Sequence, residues 1–382
     1  MKKYIGYILL IVFFVSFFCA FFRFATHSDI YLHASIAISK MQNGQMFSGN
    51  FLSFFLMNVF SVFSTTYMYV TVACCFLLAL SVVAKYWIVL HFFFNKMNNK
   101  DAGIVSFSLL FVYILPFYLP IECFQGNYPL RFYINYFVPN VWHNSTIILC
   151  MPFAILTYYY SIQLLKEYST DNCLKASIAN VICVMIKPSF FFAFSCPFVL
   201  LSLYKYIGEK KKLIITLMPV FLGVVCVAYQ YITIYDGSDG SSVIISVNRL
   251  FCLDFWKDRW PYFASSLILP VVFLILNFQK YKNDIEFILV YFMLLVSILI
   301  WLLFEELGPR ANHGNFYWQI VPSMWFVYLY IVRCEISFLA DISLKSMKLL
   351  SIKHQVVVDL YLLMVISGFV YFTYFLSTGL YH

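Results

Sequence analysis

The chain has 382 residues, of which 63% are hydrophobic and 11% are charged. A typical soluble domain has about 45–50% apolar and about 25% charged residues, so the composition excludes an ordinary soluble protein. The formal net charge is +8, but the Lys and Arg residues stand between apolar runs, where they orient membrane helices. The sequence therefore predicts no nucleic-acid partner.

Apolar runs of about 20 residues recur along the whole sequence, each long enough to cross a hydrocarbon core of about 30 Å. Runs such as 4–25 and 285–304 are apolar on every face, which excludes the alternating pattern of a membrane barrel. We predict an all-α fold, a polytopic transmembrane helical bundle of about nine full spans plus one re-entrant broken hairpin. Because no linker or repeat divides the chain, residues 1–382 are predicted to form a single integral membrane domain.

The Lys and Arg residues in short loops predict the orientation, because positively charged loops remain cytoplasmic. Lys2 and Lys3 place the N-terminus inside, and the alternation that follows places the C-terminus outside. The first apolar run exceeds a signal-peptide core and lacks a small-residue cleavage site, so it is predicted to be a retained span. The predicted external loops are residues 26–50, 122–146, 233–262 and 305–315.

The stretch 177–204 does not fit a single crossing, because that would leave the lysines after it on the outside. Proline disfavours helical geometry at the residue before it, so Lys187 and Pro188 predict a break. We predict a half-length helix entering over 179–186 and another returning over 190–203, with Lys187 at the external tip. The lysine there either binds a phosphate or extends its ammonium group to the interface.

The first external loop contains Asp29, just beyond the first span, with His33 four residues later. Partial desolvation at a membrane surface raises the pKa of a carboxylate towards that of a general base. The alternative is that Asp29 caps a helix over 30–40, whose mixed polar and apolar residues suit an interfacial position. The two roles are compatible, so Asp29 is a candidate catalytic residue and His33 a candidate binding residue.

A second polar cluster, His143 and Asn144, directly precedes the fourth predicted span. A helix beginning there would direct free N–H groups at an anion. The alternative is an aromatic-belt segment around Trp142 with ordinary helix caps. We leave both interpretations open.

The densest polar constellation, residues 304–319, contains two acids, an arginine and a histidine framed by turn-forming residues. A guanidinium binds phosphate bidentately, and adjacent carboxylates orient it or bind sugar hydroxyls. The plain alternative is a hydrophilic loop. The candidates in this constellation are Glu305 and Glu306 as catalytic acids, and Arg310 and His313 as phosphate ligands. Arg131 and Arg259, in other external loops, are further candidate phosphate ligands.

The carboxylate Asp29 after the first span, the Lys187-Pro188 break and the many short spans resemble the polytopic glycosyltransferases of the GT-C superfamily. Segments 142–146 and 306–316 are also similar to bacterial surface-polysaccharide membrane proteins, including O-antigen and capsule polymerases. The resemblance implies a GT-C-like fold, a bacterial inner-membrane location and an undecaprenyl carrier. It also implies that the first external loop supplies the catalytic acid. Members often have two adjacent acids there, whereas this chain has one, which leaves Glu305 or Glu306 as a substitute base.

An enzyme on the external face has no nucleotide pool, so an activated sugar must arrive on a carrier that has already crossed. We expect a membrane glycosyltransferase that uses a polyprenyl-phosphate or diphosphate-linked sugar donor and a glycan or lipid-linked glycan acceptor, in O-antigen or other surface-polysaccharide assembly. The alternatives are a repeat-unit polymerase and, from another class, a lipid-linked glycan transporter or flippase. Other expected contacts are membrane lipids. No cofactor or metal is predicted, although a divalent cation is compatible with the carboxylates.

Overall fold

The computed structural model describes residues 2–24, 29–115, 136–234, 240, 242–247, 251–252, 260–308, 315–341 and 352–378. These residues are mostly helical, as predicted for an all-α fold. In chain order the helices are α1 (Lys2–Phe24), α2 (Asp29–Gln42), α3 (Phe51–Phe60), α4 (Tyr67–Ile88), α5 (Asn99–Phe111), α6 (Ser145–Lys166), α7 (Thr170–Ile186), α8 (Ser189–Tyr206), α9 (Lys210–Ile234), α10 (Trp260–Tyr281), α11 (Ile285–Leu303), α12 (Ile320–Asp341) and α13 (Ile352–Thr378).

Two short strands, β1 (Ser242–Ile245) and β2 (Phe304–Leu307), form an antiparallel ladder in which Val243 lies opposite Glu306. The β2 strand directly continues α11. The backbone N–H of Ser246 donates to the carbonyl of Leu303, so the ladder is anchored at the end of that helix. Residues 305–307, the predicted start of an external loop, are therefore paired strand.

In the described part of the chain, seven helical segments are long and apolar enough to cross a membrane. They are Tyr67–Phe93, Ser145–Lys166, Ser189–Tyr206, Lys210–Ile234, Tyr262–Tyr281, Ile285–Leu303 and Ile352–Ser377. These segments indicate a multi-pass helical membrane protein. The count of about nine spans plus a hairpin, and the orientation of the termini, stay predictions.

The helix α6 runs from one end of the bundle to the other. We name the end where α6 begins the Asp29 end, and the end where it finishes the Lys166 end. The helices α7 and α8 return along it as a hairpin whose tip is Lys187. At the open side of the hairpin, the ammonium group of Lys205 donates to the carbonyl of Lys166 at 2.8 Å, and the Tyr206 hydroxyl donates to Leu164 at 2.7 Å. The break at Lys187 therefore lies where it was predicted.

The predicted length of the hairpin was wrong. Its first helix, α7, begins at Thr170 rather than 179, and at 1.5 Å per residue its 17 residues span roughly 26 Å. Ser169 caps the start of α7 by accepting a hydrogen bond from the backbone N–H of Asn172. Hydropathy alone does not show this helix start. The hairpin therefore consists of two nearly full-length helices.

The sequence also predicts a span over the apolar run 102–121, but this run is not one helix, because α5 ends at Phe111 and the chain continues without helix to Leu115. Neighbouring helices satisfy its freed backbone groups: the N–H of Tyr113 donates to the carbonyl of Met364, and the Ser367 hydroxyl donates to that of Ile114. Irregular backbone is tolerated at depth where protein surrounds it in this way. Residues 116–121 lie outside the described part of the chain.

A similar irregular segment, 136–144, is buried along its whole length and leads into α6. The amide of Asn140 donates to the carbonyls of Leu109 and Val112 and accepts from the ammonium group of Lys85 at 2.7 Å. The Tyr317 hydroxyl donates to the Tyr136 carbonyl. These contacts fix the path of the chain just before α6 begins.

The helices α2 and α3 pack against each other at the Asp29 end. The amide of Asn58 in α3 donates to the Ala37 carbonyl in α2 at 3.0 Å. The loop between them lies against the hairpin tip, because the Asn50 amide donates to the Ile186 carbonyl at 3.3 Å. The interfacial position predicted for residues 30–40 stays a prediction.

We expect Gly368→Ala to destabilise the protein. A Cβ at this position in α13 would collide with the carbonyl oxygen of Phe111, and a backbone atom cannot move aside cheaply. Overpacking of this kind costs about 1–3 kcal/mol, which thermal unfolding of the purified protein in detergent should show as a lower Tm. Gly6→Ala in α1, where a Cβ meets nothing within 4 Å, is the control and should leave Tm unchanged or slightly higher. Equal Tm values for the two variants would contradict the close packing of α13 on α5.

Candidate functional site

Asn144 links the start of α6 to Asp29. Its side-chain oxygen accepts from the backbone N–H of Ile147 at 3.0 Å, the capping bond of α6, and from the Thr146 hydroxyl at 3.0 Å. Because those donors fix which atom of the amide is the oxygen, its nitrogen must point the other way. That nitrogen donates to the Asp29 carboxylate at 2.6 Å. The helix cap therefore orients the carboxylate.

Lys187, at the tip of the hairpin, reaches the same group of side chains. Its ammonium group donates to the Thr146 hydroxyl at 3.1 Å and lies 3.5 Å from the Asn144 side-chain oxygen. It also lies 4.8 Å from the ring centroid of Trp318, a cation–π contact. Burial lowers the pKa of Lys187 to about 8, against the opposing effect of the negative charge on Asp29. The lysine is therefore mostly charged at neutral pH and loses its proton just above it.

His33, one turn into α2, contacts the first residue of α6. Its Nδ1 atom is hydrogen-bonded to the Ser145 hydroxyl, and its ring packs edge-on against Phe54 with centroids 5.6 Å apart. Burial, and then the positive charge of Lys187, lower the pKa of His33 to about 3. The imidazole is therefore neutral at physiological pH and offers no positive charge to a phosphate.

A cavity of about 290 Å³ opens beside Lys187, between the tip of the hairpin, α9 and the β ladder. Its polar groups include Asn50, Lys187 and Asn315, and most of its remaining wall is apolar. The apolar lining includes Phe192, Val227, Ile234, Val243, Phe304 and Phe316. An apolar cavity with a cation at its edge suits an amphiphile whose polar head is anionic.

The two acids of the β2 strand differ in their surroundings. Glu306 is buried and accepts from the side-chain amide of Asn315 at 2.6 Å, whereas Glu305 is partly exposed. Asn315 also lines the cavity beside Lys187. Glu306 is therefore connected to that cavity through one hydrogen bond.

The structure thus brings Asp29, His33, Asn144 and Lys187 into one network. His143 lies next to it, with its ring 5.9 Å from that of Trp318. Four further predicted phosphate ligands, Arg131, Arg259, Arg310 and His313, lie outside the described residues.

Sequence reasoning missed Trp318, Thr146 and Asn50 as parts of this site. Trp318 and Thr146 stand inside polar clusters that the sequence did single out, but nothing in the spacing distinguishes the side chain that faces the lysine. Asn50 directly precedes an apolar helix, and that position is common to many helix starts that have no functional role.

Comparisons with protein-family models, curated proteins and solved structures found no match to this chain. Within the described ranges, no group of three or more His, Cys, Asp or Glu side chains is arranged to hold a metal ion. The proposals below therefore depend on the geometry and chemistry of the site itself.

We expect Asn98→Ala to lower stability through the loss of one helix cap, and Asn144→Ala to lower it further, because Asn144 is buried and also bonds Asp29 and Thr146. A lost cap costs about 1 kcal/mol. Only Asn144→Ala also releases Asp29, so only this variant should impair the activity proposed below. A larger Tm loss in Asn144→Ala, together with a loss of activity in this variant alone, would support the bridging role, and equal activity of the two folded variants would contradict it.

Proposed function

We propose that this protein is a membrane glycosyltransferase that takes a sugar from a polyprenyl-phosphate or diphosphate carrier at the Asp29 end. The observation that carries the proposal is the network of Asp29, Asn144 and Lys187, whose lysine lines a cavity with aromatic and aliphatic walls. A carboxylate, a cation and an apolar groove are the three groups that transfer from an anionic lipid requires.

The carrier would bind with its phosphate on Lys187 and its first isoprene units against the apolar wall of the cavity. A protonated lysine forms charge-assisted hydrogen bonds to phosphate oxygens. The ring of Trp318 supports the ammonium group from one side, and the Thr146 hydroxyl holds it from another. The lysine is thus positioned before the donor arrives.

In the transfer step, the Asp29 carboxylate removes the proton of the acceptor hydroxyl. The hydroxyl oxygen forms a bond to the anomeric carbon as the bond from that carbon to the carrier phosphate breaks. The bonding electrons leave with the phosphate oxygen, whose negative charge Lys187 stabilises. Asn144 is a positioning residue in this scheme, because it touches the base and not the sugar.

The geometry is compatible with a single-sugar transferase and with a repeat-unit polymerase. Both use the same donor chemistry and differ in the acceptor. The surface glycan of a cell that lacks the protein separates them, because a missing polymerase leaves single repeat units and a missing transferase leaves a repeat unit without one sugar.

One observation favours the transporter alternative. Lys85 is a buried cation within α4, and ionisable residues at membrane depth often mark transport pathways. However, the cavity beside it measures about 30 Å³, which is room for a water molecule and not for a sugar. The Lys85 ammonium group instead donates to Asn140 and lies 4.4 Å from the ring centroid of Trp325. These two contacts attach segment 136–144 to the bundle.

We expect Asp29→Asn to abolish glycan extension in cells, because general-base catalysis contributes about 10²- to 10⁴-fold to a rate. The measurement is the surface glycan on gels, together with mass spectrometry of the polyprenyl-linked glycans that should accumulate. Asp171→Asn is the matched control, since Asp171 also lies in the first turn of a helix but at the Lys166 end, paired with Lys175. At equal expression, full extension by Asp29→Asn would reject Asp29 as the base. Accumulation of the carrier-linked glycan on the cytoplasmic leaflet would instead indicate that the protein is a flippase and not a transferase.

Binding of the carrier phosphate should weaken as the pH rises through about 8, because the pKa of Lys187 is lowered to about 8 and its deprotonation removes the cation. Titration of undecaprenyl phosphate into the protein in nanodiscs at pH 7, 8 and 9 measures this. In Lys187→Arg the guanidinium stays charged, so the decline should disappear. A wild-type affinity that is constant from pH 7 to 9, or the same decline in the arginine variant, would exclude Lys187 as the phosphate ligand.

A further inference from the structure

A second and larger cavity, of about 600 Å³, lies at the Lys166 end of the bundle. It is bounded by residues 92–97, by the last turns of α6, and by α11 and α12. Its charged groups are Lys96, Lys166, Arg333 and Glu286. This cavity is separate from the Asp29 site, because α6 runs the length of the bundle between them.

The centre of this cavity is built around Glu286, which is 3% exposed. Its carboxylate accepts from the Tyr158 hydroxyl at 3.0 Å and from the Arg333 guanidinium, and it lies 3.5 Å from the ammonium group of Lys166. These three partners compensate the negative charge of Glu286. Against this one carboxylate the lining carries three cations, Lys96, Lys166 and Arg333, so its formal net charge is +2.

The wall of the cavity contacts Arg333. The helix α4 continues beyond Ile88 as one π-helical turn, Val89–Phe93, a distortion that often marks functional sites. That turn places Phe92 and Phe93 in the lining, and the guanidinium of Arg333 lies 5.3 Å from the ring centroid of Phe93. Lys96 and Lys166 are exposed at the mouth, where an incoming group meets them first.

We propose that this cavity is a second anion site, which binds a phosphate group through Lys96, Lys166 and Arg333. A guanidinium and two ammonium groups around one opening recognise phosphate oxygens, and a volume of about 600 Å³ is in the range of sites that hold a phosphorylated small molecule or a lipid headgroup. The positively charged loops predict that this end is cytoplasmic, so the site would take a different ligand from the one at Asp29. The inference does not depend on the glycosyl-transfer proposal.

The test is direct binding to the full-length protein in phosphatidylcholine nanodiscs. One arm titrates glycerol 3-phosphate by calorimetry, and the other measures retention of phosphatidic acid by native mass spectrometry. Saturable binding in the first arm identifies a soluble phosphate as the source of the group, and binding in the second arm alone identifies a lipid headgroup. Either result supports the anion site if the variants below behave as expected.

The double variant Lys96→Gln/Lys166→Gln should weaken binding about tenfold, because two charged contacts are lost at the mouth while the Arg333–Glu286 pair stays intact. The control is Lys210→Gln/Lys211→Gln, which removes the same charge from the exposed start of α9 and should stay within about twofold of wild type. The absence of saturable binding in both arms would overturn the proposal, as would equal losses in the two double variants. Neither result would bear on Asp29.

Discussion

The candidate site depends on the side-chain amide of Asn144. Its oxygen is committed to the first turn of α6, so its nitrogen can only face Asp29. The same oxygen lies near the ammonium group of Lys187, which brings the hairpin tip to the helix start. The Asp29 carboxylate and the Lys187 ammonium group are thereby held on opposite atoms of the same side-chain amide.

The fold around this amide explains why it is rigid. The chain enters α6 through segment 136–144, which is buried and fixed by contacts from Lys85 and from Tyr317. On the other side, α7 and α8 position Lys187 because the proline that follows it ends one helix and starts the next. Irregular backbone and a helix break thus meet at one end of a bundle that is otherwise regular.

The two ends of the bundle carry different chemistry. At the Asp29 end, the network contains a carboxylate, a lysine and neutral hydrogen-bonding groups beside an apolar cavity. At the Lys166 end, cations outnumber acids around a larger cavity.

Much of the fold could be predicted from the sequence, because long apolar runs and the Lys187-Pro188 break have direct physical consequences for helices. The end of α5 at Phe111 could not be, since the residues that satisfy the freed backbone, such as Ser367, are distant in sequence. Asp29, His33, Asn144 and Lys187 could each be identified as candidates from local polarity. Their convergence required tertiary structure, as did the role of Trp318, whose ring is one of many in an aromatic-rich chain. The sequence left open whether Asn144 caps a helix or belongs to an anion site; the structure shows that it caps α6, and its place in a site stays a proposal.

The most direct test of the account is an experimental structure of the protein in nanodiscs with undecaprenyl phosphate. We expect phosphate density about 3 Å from the Lys187 ammonium group, with the first isoprene units along Phe192 and Phe304. The Asp29 carboxylate should face the phosphate end of the carrier. A carrier bound elsewhere, with Lys187 and Asp29 in contact only with protein, would contradict it.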